Sequence, residues 1–166
     1  MPATEAPSPI DAGRKAPAFT LQDQDGAKHK LADYAAQWVV LFFYPKDDTS
    51  GCTKEACQFR DASAEGELEK RGAVVLGMSP QDVKSKAKFA GKHGLNFPIL
   101  ADPDAKVCTK YGVYGEKSMY GRTYMGVNRT TYLIAPGGKV AQRWDKVKVP
   151  GHAEAVLAAL DEHQAG

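Results

Sequence analysis

Two uninterrupted apolar segments constrain the fold of this chain most strongly. Residues 38–44 (WVVLFFY) and 73–78 (AVVLGM) contain no charged side chain. Segments of this length without polar alternation are typical of strands that are covered on both faces of a sheet. The 28 residues between them are enough for a helical crossover. The pair therefore predicts a βαβ unit with parallel strands and a right-handed crossover.

The remaining pattern predicts one mixed sheet. An N-terminal β-hairpin is indicated by the alternating residues 19–22, the turn Asp25-Gly26 and a return strand at 29–31. The other predicted elements follow in chain order: a helix over 49–71 with a bend or break near Gly66, a helix opening at 79–82 and ending at 91–94, a strand at 97–100, a helix over 102–111, a long loop at 112–126, strands at 129–135 and 139–145 joined by Pro136-Gly137-Gly138, and a helix over 151–163.

This order of elements predicts an α/β protein with a thioredoxin-like fold. A central mixed β-sheet is flanked by helices on both faces, and the hairpin lies at one edge. The length of 166 residues suits one domain with a sizeable core. Three prolines in the first ten residues indicate a flexible N-terminal tail over residues 1–12, which leaves 13–166 as a single domain.

Composition argues against several classes of partner. The net charge is +2 and no run of 18 apolar residues occurs, so neither a nucleic-acid-binding protein nor a transmembrane helix is expected. Lys84, Lys88 and Lys92 recur on one helical face and are interpreted as a solvated surface. The N-terminus lacks an apolar signal core, which predicts a cytoplasmic protein. In that compartment three cysteines favour chemistry or packing over a disulfide scaffold.

Cys52 is the strongest candidate for chemistry. It follows the first apolar strand and a polar turn, in or near the first turn of the predicted helix. A cysteine thiol is mostly protonated at neutral pH, and only its thiolate is a good nucleophile. The free amides and positive dipole end of a helix N-terminus favour the thiolate. Thr49 is three residues upstream and is expected to cap the amide of Cys52 or to bond its sulfur. The alternative, a small buried hydrophobe, fits poorly with the sequence Asp-Asp-Thr-Ser-Gly before it.

The spacing of Cys52 and Cys57 excludes a static bridge within a helix. Five residues along an α-helix separate two Cα atoms by about 8–9 Å, whereas a disulfide tolerates at most about 7 Å. If the two thiols pair, the first turns of the helix must unwind. Taken alone, Cys57 is better explained as a core cysteine on the inner face of the helix.

The residues around Cys52 resemble the active-site motif of the peroxiredoxins. The pattern is Pro45-x-x-x-Thr49-x-x-Cys52, and residues 51–57 (GCTKEAC) are similar to the bacterioferritin comigratory protein, or peroxiredoxin Q, subfamily. The resemblance extends from about residue 12 to the C-terminus. Further matching segments are Phe19-Thr20-Leu21, Ser79-Pro80-Gln81, residues 97–102 (FPILAD) and Arg129 at the start of a strand.

The resemblance implies a thiol peroxidase that reduces hydrogen peroxide and organic hydroperoxides in antioxidant defence. Cys52 would be the peroxidatic cysteine, which peroxide oxidises to a sulfenic acid. Thr49 and Arg129 would hold the peroxide, and Arg129 would also keep Cys52 ionised. Glu55 would orient the guanidinium, and Pro45 would shield the site. Without the motif, Arg129 would be interpreted as an ordinary arginine at the edge of a strand.

The resemblance also assigns the second half of the reaction. Cys57 would be the resolving cysteine and would form the intramolecular disulfide Cys52–Cys57. A dithiol protein such as thioredoxin, with NADPH behind it, would reduce that disulfide. The resemblance implies no bound cofactor or metal, and it implies a monomer. Cys108 matches no role in the family and is interpreted as a packing residue.

Other functions remain open from the residues alone. A thiol–disulfide oxidoreductase on the same fold would normally separate its two cysteines by two residues, whereas four lie between Cys52 and Cys57. A redox-sensing switch or a chaperone activated by oxidation would use the same pair without turnover. A metal site is weakly supported, because no histidine lies at ligand spacing from a cysteine. The four histidines are expected at the surface: His29, His93, His152 and His163.

Overall fold

The computed structural model describes residues 8–165. Within that range the chain forms nine β-strands and four α-helices. The strands are β1 (Thr20–Gln22), β2 (Lys28–Lys30), β3 (Trp38–Phe43), β4 (Ala73–Ser79), β5 (Ile99–Ala101), β6 (Tyr114–Met119), β7 (Arg122–Val127), β8 (Thr130–Ile134) and β9 (Val140–Trp144). The helices are α1 (Ser50–Ala64), α2 (Val83–His93), α3 (Lys106–Lys110) and α4 (His152–Ala165), with short 3-10 turns at Leu31–Tyr34 and Glu69–Arg71.

Seven strands form one mixed sheet in the order β2-β1-β5-β4-β3-β8-β9. β3 pairs with β4 and β4 with β5 in parallel, and the other pairings are antiparallel. The βαβ unit is therefore present, with Trp38 opposite Ala73 and Phe43 opposite Met78. The predicted N-terminal hairpin is β1–β2, which extends the edge of the sheet at β5. The predicted mixed α/β sheet of a thioredoxin-like fold is confirmed.

The two faces of β3 explain its unbroken apolar sequence. Val40, Phe42 and Tyr44 lie in a core that also contains side chains of α1, α2 and α4. Val39 and Phe43, with Leu41 between them, lie in a second core on the opposite face, with side chains of α3. Because both sides of the strand are covered, it needs no polar alternation.

The helix after β3 is shorter than the sequence predicts. α1 ends at Ala64, and Gly66 adopts a left-handed backbone conformation with φ of 74°. Glycine reaches this backbone region without steric cost, so Gly66 ends the helix at the point where the sequence predicted a bend or break. The 3-10 turn Glu69–Arg71 and the left-handed Gly72 then lead into β4.

The second helix also begins later than predicted. Ser79 still belongs to β4, because its carbonyl accepts a hydrogen bond from the Asp102 amide at 3.1 Å. Pro80 lies in the connection rather than in the first helical turn. Asp82 is the N-cap of α2, and its carboxylate accepts from the Ser85 amide at 2.9 Å. The helix ends at the left-handed Gly94, within the predicted boundary.

The sequence predicted a long loop at residues 112–126, but the structure has a β-hairpin there. β6 and β7 pair antiparallel over six residue pairs, from Tyr114 opposite Val127 to Met119 opposite Arg122. The chain reverses at Tyr120 and Gly121, both with positive φ (51° and 78°), as a two-residue hairpin turn requires. The hairpin escaped prediction because tyrosine is not a usual turn residue and because most of its side chains are exposed, which removes the alternation of a half-buried strand.

The N-terminal segment is anchored where it is described. The Ile10 amide donates to the Tyr132 hydroxyl at 2.9 Å, and Arg143 donates to the Ile10 carbonyl at 2.7 Å. Residues 1–7 of the predicted tail lie outside the described residues, so its boundary at residue 12 stays a prediction. Among the described helices, none has the length and apolar character needed to cross a membrane.

Candidate active site

Cys52 is held at the start of α1, directly after the central strand β3. Thr49 is the N-cap, and the first hydrogen bond of the helix joins the Thr53 amide to the Thr49 carbonyl at 2.8 Å. The amides of residues 50–52 precede this ladder and so remain available to an anion. The Cys52 side chain is only 1% exposed. The polypeptide therefore presents one thiol at the positive end of a helix, in a largely desolvated place.

Arg129 joins two side chains of α1 across the site. It lies directly before β8, and its Nη2 donates to Cys52 Sγ at 3.3 Å while Nη1 donates to Glu55 Oε1 at 2.7 Å. Burial lowers the pKa of Arg129, but its interactions with Glu55 and with Cys52 outweigh burial and hold that pKa above its usual value. The guanidinium is thus a fixed cation, which stabilises a thiolate on Cys52.

Glu55 is the most unusual titratable group of the site. Its side chain is fully buried, Oε1 accepts from Arg129, and Oε2 has no hydrogen-bond partner. Burial raises the pKa of Glu55 to about 7, and the attraction of Arg129 offsets only part of that effect. An uncompensated buried carboxylate oxygen is costly. The pKa of Glu55 therefore lies close to neutral pH, while Oε1 keeps its hydrogen bond to the guanidinium.

Gly51 is a site residue whose role was not apparent from the sequence. A Cβ atom added at Gly51 would lie 3.2 Å from Arg129 Nη2 and 3.9 Å from Cζ. That approach is tighter than an ordinary van der Waals contact, so a larger residue would displace the guanidinium. Two signals were present in the sequence: Gly51 opens the matching segment 51–57, and it stands in the first turn of a helix, where glycine has no conformational advantage.

Thr49 does not make the contact expected of it. Its hydroxyl donates to the Lys46 carbonyl at 2.9 Å and makes no capping hydrogen bond. The side chain closes the preceding turn instead of reaching Cys52, because a threonine hydroxyl can bond its own neighbouring backbone. Pro45 is half-buried, and its carbonyl accepts from Gln81 Nε2 at 3.3 Å.

Cys57 is a free, half-buried thiol on the same helix as Cys52. Both residues lie within the continuous α1, so the geometry of about 8–9 Å between their Cα atoms applies. The next residue, Gln58, donates to the Val149 carbonyl at 2.8 Å and accepts from the Ala153 amide at 3.3 Å. The helix is thus tied to the start of α4 immediately after Cys57.

Cys108 and His152 are also buried, and neither is hydrogen-bonded to Cys52. Cys108 is fully buried in the second core, and burial raises the pKa of its thiol, which leaves it protonated. His152 was expected at the surface but is only 5% exposed, and Nε2 lies 2.8 Å from Thr131 Oγ1. Burial, with a smaller effect of the Arg129 charge, lowers its pKa to about 4. Within residues 8–165 no group of three histidine, cysteine or acidic side chains is arranged to hold a metal ion.

Known proteins carry the same architecture and sequence. Residues 12–143 match the family model described as AhpC/TSA family. The chain is 47% identical to the putative peroxiredoxin bcp of Coxiella burnetii over 91% of this chain and 99% of that protein. It is 44% identical to peroxiredoxin Bcp of Escherichia coli (strain K12), over 94% and 99%.

A solved structure gives the same result. The bacterioferritin comigratory protein of Xanthomonas campestris, studied for its alkyl peroxide reduction activity, superposes with a TM-score of 0.85 and 43% identity over 92% of this chain and 99% of that chain. The chain therefore belongs to the AhpC/TSA family, and within it to the thiol peroxidases of the bacterioferritin comigratory protein, or peroxiredoxin Q, type.

Proposed function

We propose that Cys52 is the peroxidatic cysteine of this peroxidase. The observation that carries the proposal is the 3.3 Å contact between Cys52 Sγ and Arg129 Nη2 at a helix N-terminus. The thiolate attacks the terminal oxygen of a hydroperoxide. An S–O bond forms, the O–O bond breaks, and the departing alkoxide takes a proton to leave as an alcohol, or as water from hydrogen peroxide. The sulfur is oxidised to a sulfenic acid.

Arg129 and Thr49 are the proposed peroxide-binding groups. Arg129 offers positive charge where the negative charge of the departing oxygen develops. The Thr49 hydroxyl already donates to Lys46, so it retains two acceptor lone pairs. It is therefore suited to accept the O–H of the incoming hydroperoxide. Pro45 excludes water from one side, and Glu55 keeps the guanidinium in its forked geometry.

Cys57 is the proposed resolving cysteine. Its sulfur attacks the sulfenic sulfur of Cys52, which forms the disulfide Cys52–Cys57 and releases water. Because the two residues cannot meet in an intact helix, residues around the first turns of α1 must unwind. The tie of Gln58 to Val149 and Ala153 favours unwinding that stops at Cys57.

The remaining parts of the proposal concern partners and location. A dithiol protein such as thioredoxin exchanges with the disulfide and returns both thiols, while its own dithiol is oxidised. An intramolecular disulfide needs no second subunit, so we propose a monomer that works in the cytoplasm, without nucleic acid, as one domain from residue 13. Lys92, one of the three lysines on the helical face interpreted as solvated, pairs with Asp48 of the same chain at 2.8 Å, which supports a surface without a nucleic-acid partner.

A coupled assay tests the proposed function. Reduced protein is mixed with hydrogen peroxide, thioredoxin, its reductase and NADPH, and NADPH consumption is followed. We expect many turnovers, which disappear in Cys52→Ser. One stoichiometric oxidation without turnover would favour the redox sensor instead.

The resolving role is tested separately by intact mass. Oxidised Cys57→Ser should carry a sulfenic acid and no intramolecular disulfide. If this variant still loses two hydrogens to a disulfide, Cys108 must be the partner and the assignment of Cys57 fails.

A further inference from the structure

Lys86 is a buried charge that the peroxide chemistry above does not use. Its side chain, on α2, is 0% exposed, and its ammonium donates to both carboxylate oxygens of Asp47 at 3.0 and 3.2 Å. The Tyr44 hydroxyl accepts from it at 3.2 Å, and the Ser79 hydroxyl is also in contact. All donors of the ammonium are engaged, in a place without access to water.

Asp47 is held from several sides in addition to Lys86. Its carboxylate accepts from the Tyr44 hydroxyl at 2.6 Å and from the Ser85 hydroxyl at 2.7 Å, and its amide donates to Gln81 at 3.1 Å. Burial, with the charge of Asp47, keeps the pKa of Tyr44 well above its usual value, so the phenol remains a donor. These contacts hold Asp47 in one position, two residues before the N-cap of α1.

The rest of this loop also rests on α2 and on the connection before it. The Pro45 carbonyl accepts from Gln81 at 3.3 Å. Asp48 has a left-handed backbone with φ of 59° and pairs with Lys92 at 2.8 Å and His93 at 2.9 Å. Asp48 itself is 40% exposed and Lys92 is 59% exposed, and ion pairs with exposed groups contribute little. The buried pair is therefore the stronger tie.

A buried ion pair is a poor device for stability alone. Apolar side chains of similar volume often serve as well or better, because two charges must lose their water. The pair instead constrains orientation. The Asp47 carboxylate has to face the Lys86 ammonium, the hydroxyls of Tyr44 and Ser79 at the strand ends, and the hydroxyl of Ser85 on α2. That requirement permits a single position of the loop that begins α1.

We propose that Lys86 is a positioning residue for the peroxide step and acts through Asp47. The pair sets the loop 45–49, and through it the first turn of α1, in the form that presents Cys52 to Arg129 and peroxide. Disulfide formation does not need this form, since the first turns of α1 unwind for it. The inference rests on the roles proposed above for Cys52 and Cys57.

Separate measurement of the two steps tests the proposal. In a Cys57→Ser background, the second-order rate constant for oxidation of Cys52 by hydrogen peroxide is followed by quenching and intact mass. In the chain with both cysteines, excess peroxide gives the first-order rate of disulfide formation. We expect Lys86→Met to lower the peroxide step about tenfold or more, the scale of a small misplacement of reacting groups. The disulfide step should stay within about threefold of wild type or become faster.

A double-mutant cycle tests whether Lys86 acts through Asp47. Asp47→Asn keeps the size of the side chain and removes the charge. If the pair works as a unit, adding Lys86→Met to Asp47→Asn should slow the peroxide step by less than about twofold further. Additive losses would overturn the proposal, because each residue would then act independently. Asp47→Asn also carries the test if Lys86→Met does not fold.

Two controls separate positioning from general destabilisation. Lys92→Met removes an exposed partner of the same loop from the same helix and should leave both rate constants within about twofold. Val140→Ala opens the second core, on the opposite face of the sheet from Tyr44 and Cys52, and lowers stability without removing a contact of the loop.

The proposal is wrong if Lys86→Met leaves the peroxide step within twofold, or if Val140→Ala changes the ratio of the two steps as much as Lys86→Met does. If wild type itself fails to turn over in the coupled assay, the proposed function fails instead, so the two failures are distinct.

Discussion

Replacement of Glu55 by glutamine should change the pH dependence of stability in a defined direction. In the folded protein the pKa of Glu55 is raised from 4.5 to about 7, chiefly by burial. The folded state therefore holds this proton more tightly than the unfolded chain does. As pH rises from about 4.5 to 7, the unfolded chain releases the proton first, so the wild type loses stability across that window.

The magnitude follows from the size of the shift. A difference of about 2.5 pKa units corresponds to about 3 kcal/mol between the two ends of the window. Glutamine does not titrate, and its carbonyl oxygen can still accept from Arg129. The free energy of unfolding of Glu55→Gln, minus that of wild type, should therefore rise by about 3 kcal/mol between pH 4.5 and 7 and level off above it.

Urea unfolding of the reduced proteins across this range measures the difference. The comparison between two proteins is needed because His152 acts in the opposite direction: its pKa is lowered to about 4, so its contribution to stability grows as pH rises through the same region. His152 is unchanged in the variant, and its contribution cancels. A difference that is flat, or that falls with pH, would refute the conclusion that burial of Glu55 outweighs its pairing with Arg129.

Three further changes test the site and the buried histidine. Arg129→Lys replaces the guanidinium, which contacts both Glu55 and Cys52, by a single point charge. The rate constant of the peroxide step should therefore fall about 100-fold. A loss under about threefold, measured by intact mass in the Cys57→Ser background, would show that charge alone suffices. Gly51→Ala brings a Cβ within 3.2 Å of Arg129, so the rate of the peroxide step should fall about tenfold. The temperature of thermal unfolding should be unchanged or higher. An unchanged rate would mean that the guanidinium moves freely. His152→Gln should remove part of the acid sensitivity of unfolding between pH 6.5 and about 4, seen in urea titrations; a variant as acid-sensitive as wild type would contradict this role.

The local sequence was sufficient for the framework of the fold. Two apolar segments predicted the parallel strands β3 and β4, and both are central because each of their faces is covered. The same local reasoning placed Cys52 at the start of a helix, since a strand, a polar turn and a helical segment follow one another. Where side chains are mostly exposed, as in the β6–β7 hairpin, the pattern carried no signal and the prediction was wrong.

The positions of charged side chains were not readable in this way. Lys84, Lys86 and Lys88 are alike in the sequence, yet Lys86 alone of the three is buried, where it meets Asp47. Glu55 resembles an ordinary carboxylate of a first helical turn, but its burial against Arg129 raises its pKa. Thr49 was expected to bond Cys52 and instead bonds the backbone of its own turn.

The sequence by itself determined the strand–turn–helix that delivers Cys52 and the spacing that forbids a disulfide within an intact α1. Both follow from neighbouring residues and from the fixed geometry of a helix. Only the tertiary structure decided how the charged groups are arranged. Arg129, 77 residues from Cys52 and named beforehand only through the resemblance, contacts its sulfur. Glu55 is buried against Arg129, and Lys86 is buried against Asp47. Burial and charge pairing depend on which segments meet in space, and that is settled by the packing of the whole sheet and its helices.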